Sequence, residues 1–391
     1  MTLRIPLLWL TLLFAIGILI GKAHPSDHYM LATGLSLPFV WYTLRAKSNF
    51  HGPLLALSWI LLGASRMNMP EIHLSILHHI RNMGICWNRY FVAQLQAAGL
   101  KDQALALASS LVLGNKTMLS PDIKSEFSLA GASHLLALSG MHLSILYGLI
   151  HFLILKRLRY TSKRTIALPV TLILIWGYAM LTGFPSSLVR ASLMLTFSAI
   201  MIFSPRHQNF AMGTYQWGTA LHALAMSALL MLILDPLCMW EIGWQLSYSA
   251  MLAIILFHPQ WRIDKERRAA KFLNWMLGIL GISLVAQIGT LPLVAYYFHT
   301  ITPLSIFLNL FLIPLTMLII YCSLPLLVCP IPWLAGGMAT LLESECCLIR
   351  QWIALPGTSI QNIYPSAWET AWIYFALLLL AASRKMNHRS I

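Results

Sequence analysis

The stretch 131–148, GASHLLALSGMHLSILYG, decides how this chain is read. Two histidines and three serines interrupt a run that otherwise has the composition of a lipid-facing helix. A hydroxyl or imidazole in hydrocarbon needs a partner, so such residues turn toward a bundle interior, a cavity or a transport path. On one continuous helix at about 100° per residue, His134, Ser139 and His142 fall within an arc of roughly 140°, so a single face presents all three. Gly140, Ser144 and Gly148 recur every fourth residue, the small-residue spacing that admits a close neighbouring helix.

The rest of the chain supplies the bilayer that this reading requires. Of 391 residues, 58% are hydrophobic and 10% are charged, with a mean hydropathy of +0.72. Soluble domains average about 45–50% apolar and about 25% charged residues. Apolar runs at 3–20, 29–44, 54–65, 133–155, 166–183, 187–204, 217–234, 243–258, 272–291, 302–322 and 368–382, with a proline-broken run to Trp333, suit a hydrocarbon layer about 30 Å thick. The expected fold is an all-α polytopic membrane protein, a helical bundle of about 10–12 transmembrane or re-entrant helices. Its expected divisions are N-terminal transmembrane helices over 1–66, an outward-facing amphipathic helical segment over 67–130, a transmembrane core over 131–333, and an amphipathic segment with a C-terminal transmembrane helix over 334–391.

A net charge of +14 invites comparison with nucleic-acid binders, but its placement follows topology. Arg4, Arg45, Lys47, the Lys156–Arg164 group, Arg206, the Arg262–Lys271 group, Arg384, Lys385 and Arg389 fall in alternate loops, as the positive-inside rule assigns to the cytoplasm. The chain is therefore placed in the cell inner membrane with both termini cytoplasmic. Parity then requires 302–333 to make two short passes or a re-entrant hairpin around Pro314 and Pro325, the alternative being one long tilted span. The leading apolar run reads as an uncleaved anchor, because no small-residue cleavage site precedes Lys22.

Six cysteines form no CxxC pattern and behave as small hydrophobes. His73, His78 and His79 lack carboxylate or thiol partners at metal spacing, apart from Glu71, so neither a metal nor another cofactor is expected. Trp87, Tyr90 and Phe91 suit the headgroup boundary better than base stacking. Polar residues recur on other spans: Glu241, Gln245 and Ser249 at intervals of four, Ser283 and Gln287 with Thr290 behind them, Asn309, and Arg190 beside Ser186 and Ser187. Such recurrence marks an interhelical hydrogen-bond lattice or a hydrated passage, and the passage is favoured.

GASHLLALSGMHL, SSLVRASLM, DPLCMWEIGWQLSYSAM, and SLVAQIGTLPL followed by SIFLNLFLIPL resemble, in order and spacing, the successive signatures of the ComEC competence proteins. The resemblance covers roughly residues 100–333, and ALALASSLVLGNKTMLSPDIKSEFSLAG is similar to the family's lead-in. It implies an inner-membrane channel through which single-stranded transforming DNA enters during natural competence. By position it also implies channel-lining or architectural roles for His134, Ser139, Gly140, His142, Arg190, Glu241, Gln245, Ser247, Gln287 and Asn309, with Gly243, Leu246, Pro292 and Pro314 beside them. The core over 131–333 is then a competence-type channel core.

Family members commonly carry an outward OB-like domain and a metallo-β-lactamase-like domain. Neither is expected here: residues 67–80 leave no room for an OB fold, and no HxHxDH sequence is present to hold a metal pair. No GxxxxGK[ST] loop supplies ATP hydrolysis, and no GxSxG elbow supports a Ser139–His142 nucleophile, so the chain is not expected to be an enzyme. The implied partners are single-stranded DNA, the lipid bilayer, a cytoplasmic helicase-like motor, an outer DNA receptor and a separate nuclease. The alternative is a transporter or channel for another polar solute built on the same core.

Overall fold

Residues 6–26, 28–45, 51–69, 75–150, 152, 164–203, 212–257 and 268–387 are described by the computed structural model. Their long apolar runs form helices: α1 (Pro6–Ala23), α2 (His28–Arg45), α3 (His51–Asn68), α4 (Ser75–Ala97), α5 (Asp102–Leu113), α6 (Pro121–Leu129), α7 (Ser133–Leu136) and α8 (Gly140–Ile150). The series continues with α9 (Arg164–Leu181), α10 (Ser186–Phe203), α11 (Met212–Leu234), α12 (Ile242–Phe257), α13 (Arg268–Phe298), α14 (Ser305–Val328), α15 (Pro332–Ile353) and α16 (Ala367–Asn387). A two-stranded pairing of β1 (Thr300–Ile301) with β2 (Ile360–Gln361) is the sheet among the described residues. The all-α expectation holds. Among the described residues two stretches, Leu273–Phe298 and Ser305–Val328, are long and apolar enough to cross a bilayer, and further apolar helical stretches are shorter. Lys156, Arg157, Arg159, Lys163, Arg206, Arg262, Lys265, Arg267 and His73 lie outside the described residues.

The chain divides into two units. One comprises residues 1–75 and 193–248. Within it α1 and α3 touch backbone to backbone: a Cβ on Gly17 would meet the Ile60 carbonyl, and one on Gly63 that of Phe14. Only glycine permits that approach. Phe14 meets the edge of Trp59 with ring centroids 6.1 Å apart. Thr11 donates its hydroxyl to the Ala225 carbonyl at 3.2 Å, joining α1 to α11. The end of α11 is closed by Arg66, which is buried and donates Nε to the Ile233 carbonyl at 2.6 Å and Nη2 to that of Leu234 at 2.7 Å. A cation there satisfies orphaned carbonyls and the negative end of the helix dipole together.

The other unit comprises residues 76–192 and 249–391. Its core gathers Leu105, Leu111, Phe127, Leu135, Leu312, Ile319, Met338 and Leu342 from α5, α6, α7, α14 and α15. Helix α5, read as part of an amphipathic outer segment, is instead buried from Leu105 to Leu113. Its sequence, DQALALASSLVL, is small or apolar on every side after the first turn, which suits enclosure by other helices. Of the two readings left open for 302–333, the single long span is the one found around Pro314 and Pro325, because α14 runs unbroken through both. Proline removes one donor but leaves the helix intact where neighbours hold it. The reversal comes at Cys329–Ile331, and Pro332 opens α15 at the position where its missing donor costs nothing. Pairing of Thr300 with Gln361 brings the start of α14 and the chain after α15 to one end, so the two helices form an antiparallel hairpin.

Candidate functional site

The opening stretch is a broken helix rather than a continuous one. Helix α7 ends at Leu136 and α8 begins at Gly140, so the wheel that placed His134, Ser139 and His142 on one face does not apply across the gap. His134 is exposed, whereas His142 is 1% exposed. The carbonyls released by the break are taken by hydroxyls from distant helices. Ser110 of α5 donates to the Leu136 carbonyl at 3.2 Å, and Ser187 of α10 donates to that of Leu138. These two carbonyls thus find partners inside the protein, the condition under which irregular backbone is tolerated away from water.

Ser139 then caps α8. Its Oγ accepts the Met141 amide at 3.3 Å, and its own amide donates to His142 Nδ1 at 3.3 Å. This is a capping box with imidazole in the place usually held by Glu or Gln. Because Nδ1 accepts, the neutral ring carries its proton on Nε2, and that buried atom has no hydrogen-bond partner among the described residues. The Ser139 hydroxyl lies 3.2 Å from Nδ1, so the two polar side chains form one connected cap.

Gly140 brings α8 against α10: a Cβ there would sit 3.4 Å from Ala191 Cβ. The glycine stripe goes no further, since Gly148 has nothing within 4 Å among the described residues and Ser144 folds its hydroxyl back onto the Gly140 carbonyl at 2.8 Å. Arg190 follows Ser187 by three residues on α10 and is 1% exposed. A guanidinium sunk that far into an apolar bundle is costly, and this position is a functional candidate on that ground.

A second cluster forms around Gly131, whose φ of +74° admits glycine and strains other residues. A Cβ there would lie 3.0 Å from Thr302 Cβ and 2.9 Å from Ser305 Cβ. The Gly131 carbonyl holds His134 Nδ1 at 3.2 Å. Gln287 of α13 donates to the Thr302 carbonyl at 2.7 Å, and Ser305 Oγ donates to the same oxygen at 2.8 Å. Asn309 stands one turn beyond Ser305 on α14. Gln287 is thus bonded to the turn at 302–305, against which Gly131, the partner of His134, is packed. Gln287 Oε1 and Asn309 Oδ1 are buried with no partner among the described residues.

Glu241, Gln245 and Ser247 belong to the other unit. Glu241 is exposed and its carbonyl receives the Gln245 amide at 3.1 Å, opening α12, so it stands at the helix start rather than on a shared face. Gln245 donates Nε2 to the Met239 carbonyl at 3.1 Å. Ser247 is half-buried.

Sequence reasoning missed Ser110, Asn88 and Tyr178. Asn88 of α4 donates to the Leu113 carbonyl at 2.8 Å, and the Tyr178 hydroxyl of α9 donates to that of Val112 at 2.8 Å. Together they close the end of α5, which carries Ser110. The available signal was the serine pair in ALASSLVLG, polar atoms in an otherwise apolar run. Beyond that helix, Lys116 is held below the ordinary lysine range by partial burial and by Lys124.

Fold and site together define an all-α protein that carries buried polar groups among apolar helices. The chain belongs to the competence protein family, which matches residues 111–387. It is 28% identical over 228 residues to ComE operon protein 3 of Bacillus subtilis (strain 168), covering 58% of this chain and 26% of that protein. It is 29% identical over 209 residues to Competence protein ComA of Neisseria gonorrhoeae, covering 52% of this chain and 28% of that protein. The uncharacterized protein YcaI of Escherichia coli (strain K12) is 24% identical over 296 residues, 72% of this chain and 37% of its own length. The chain therefore spans 26–37% of the length of these curated relatives. No solved structure matches.

Proposed function

We propose that this chain is a polytopic inner-membrane channel core that passes single-stranded DNA during natural competence. The observation that carries a passage is the set of buried polar atoms with no protein partner among the described residues: His142 Nε2 on α8, Gln287 Oε1 on α13 and Asn309 Oδ1 on α14. Each would cost about 1–3 kcal/mol if left dry. Water or a passing polar cargo meets that demand, and three helices offering such atoms suit a hydrated route better than a sealed lattice. The cargo rests on family membership and on the competence proteins that the chain resembles.

Passage through this core is passive and involves no covalent chemistry by the chain. Donors and acceptors lining the route are neutral apart from Arg190, so phosphates are guided past without being held. Direction comes from a cytoplasmic helicase-like motor, while an outer receptor delivers the strand and a separate nuclease removes its complement.

The test is internalisation of labelled DNA by a competent deletion strain complemented with the wild-type chain, His142→Gln or Gln287→Leu at matched membrane abundance. Wild type restores uptake, and each variant lowers it about tenfold or more, the equivalent of one lost interaction of about 1.4 kcal/mol. Undiminished uptake in the deletion strain overturns the reading. Loss of a small polar solute's uptake with DNA entry intact transfers it to the solute class.

A further inference from the structure

Glu345 is a carboxyl where the fold offers almost nothing to a charge. It lies on α15, is 1% exposed, and is enclosed by the apolar cluster containing Met338, Leu342, Leu312 and Ile319. The Thr316 hydroxyl of α14 donates to Oε1 at 3.0 Å, and Oε2 is buried with no partner among the described residues. Thr316 and Glu345 each stand on the order of 10 Å or more from the ends of their helices at about 1.5 Å per residue.

The surrounding ionisable groups do not neutralise it. On α15, Glu343 and Cys347 are exposed, Cys346 is a buried thiol, and Arg350 is exposed with its Nε held by both carboxylate oxygens of Glu126 at 3.0 and 3.1 Å. On α14, the Tyr321 hydroxyl donates to the Ile145 carbonyl and Cys322 is half-buried. On α5 the acid is Asp102, which is exposed, and on α6 Asp122 and Lys124 are exposed while Glu126 is committed to Arg350. An unpaired buried carboxylate is costly enough that such a group either takes a proton or rearranges its surroundings.

We propose that Glu345 is a proton-binding site of this core, with Thr316 as its fixed hydrogen-bond donor. In the neutral form Oε1 accepts from Thr316, Oε2 carries the proton, and α15 lies closed against α14. On release the Oε2–H bond breaks, the proton passes to water, and the carboxylate must be solvated, which loosens the α14–α15 contact. Protonation is thereby linked to the packing of this hairpin, whatever cargo the core carries.

The experiment treats the full chain in lipid nanodiscs with N,N′-dicyclohexylcarbodiimide, a reagent for protonated carboxyls in apolar surroundings, and locates the adduct by peptide mass spectrometry. Expected is labelling at Glu345 that falls roughly tenfold per pH unit once the group ionises, between about pH 5 and pH 9. Glu345→Gln removes the adduct, and Thr316→Val displaces the profile along the pH axis. Labelling that is flat across this range, or absent throughout in the folded wild-type chain, overturns the proposal. The wild-type profile decides even if a variant fails to fold. No DNA is present, so failure of the channel reading and failure of this one are separate outcomes.

Discussion

The Ser139 amide donates to Nδ1 of His142 at 3.3 Å, and this bond assigns the ring's proton to the buried Nε2. One contact therefore does two things: it starts α8 after the break and turns a hydrogen-bond donor loose in the interior. The pair is a cap and, under the proposed function, a polar lining element as well. That dual use separates the roles by substitution.

Ser139→Ala removes the hydroxyl that accepts the Met141 amide, and loss of such a cap costs about 0.5–2 kcal/mol. His142→Leu removes both the acceptor for the Ser139 amide and the Nε2 donor. His142→Gln keeps an acceptor at the capping-box position and removes the imidazole. Thermal unfolding of purified protein should rank wild type and His142→Gln together, with His142→Leu and Ser139→Ala below. Equal stability of all four would reject the cap.

Gly131→Ala tests the second cluster. The new Cβ would approach Thr302 and Ser305 at about 3 Å and also impose a left-handed backbone on alanine. The conformational term alone is about 1–2 kcal/mol, and the contact adds to it. Expected is a lower unfolding midpoint and reduced abundance at 37 °C, recovering at lower growth temperature. An unchanged midpoint would mean that the turn at 302–305 does not pack against Gly131 in solution.

The helices were legible because apolar runs and their lengths are local properties. The broken stretch was legible as a site of interest because hydroxyls and imidazoles stand out against hydrocarbon. Its geometry was not legible: the helix stops after Leu136, and the Leu136 and Leu138 carbonyls are taken by Ser110 and Ser187, 26 and 49 residues away. A helical wheel drawn through that point necessarily placed His134 and His142 together. The prolines left two readings open for a related reason, since a proline reports a missing donor and says nothing of the neighbours that keep α14 continuous. Pro332 at the first position of α15 carried the correct signal.

Gly17→Leu addresses the α1–α3 contact, where a Cβ would meet the Ile60 carbonyl. The clash involves backbone on both helices, so no side-chain rotation relieves it. Cysteines introduced at Phe14 and Trp59, whose ring centroids lie 6.1 Å apart across the pair, should be joined by a short bifunctional maleimide in an otherwise wild-type chain and lose most of that crosslinking when Gly17→Leu is added. Retained crosslinking would show that α1 and α3 do not depend on glycine to meet.

Arg66 offers the sharpest stability test because its guanidinium spans two carbonyls, Ile233 at 2.6 Å and Leu234 at 2.7 Å. An ammonium is a point donor and reaches one of them well, whereas alanine reaches neither. Hydrogen bonds from a charged donor contribute about 1.5–3 kcal/mol, and the end of α11 would be left with orphaned carbonyls. Arg66→Ala is therefore expected to destabilise by about 2–3 kcal/mol, with Arg66→Lys intermediate. Hydrogen exchange adds a spatial check: faster exchange confined to the last turns of α11 identifies lost capping, whereas uniform acceleration across the unit would assign Arg66 to general packing instead.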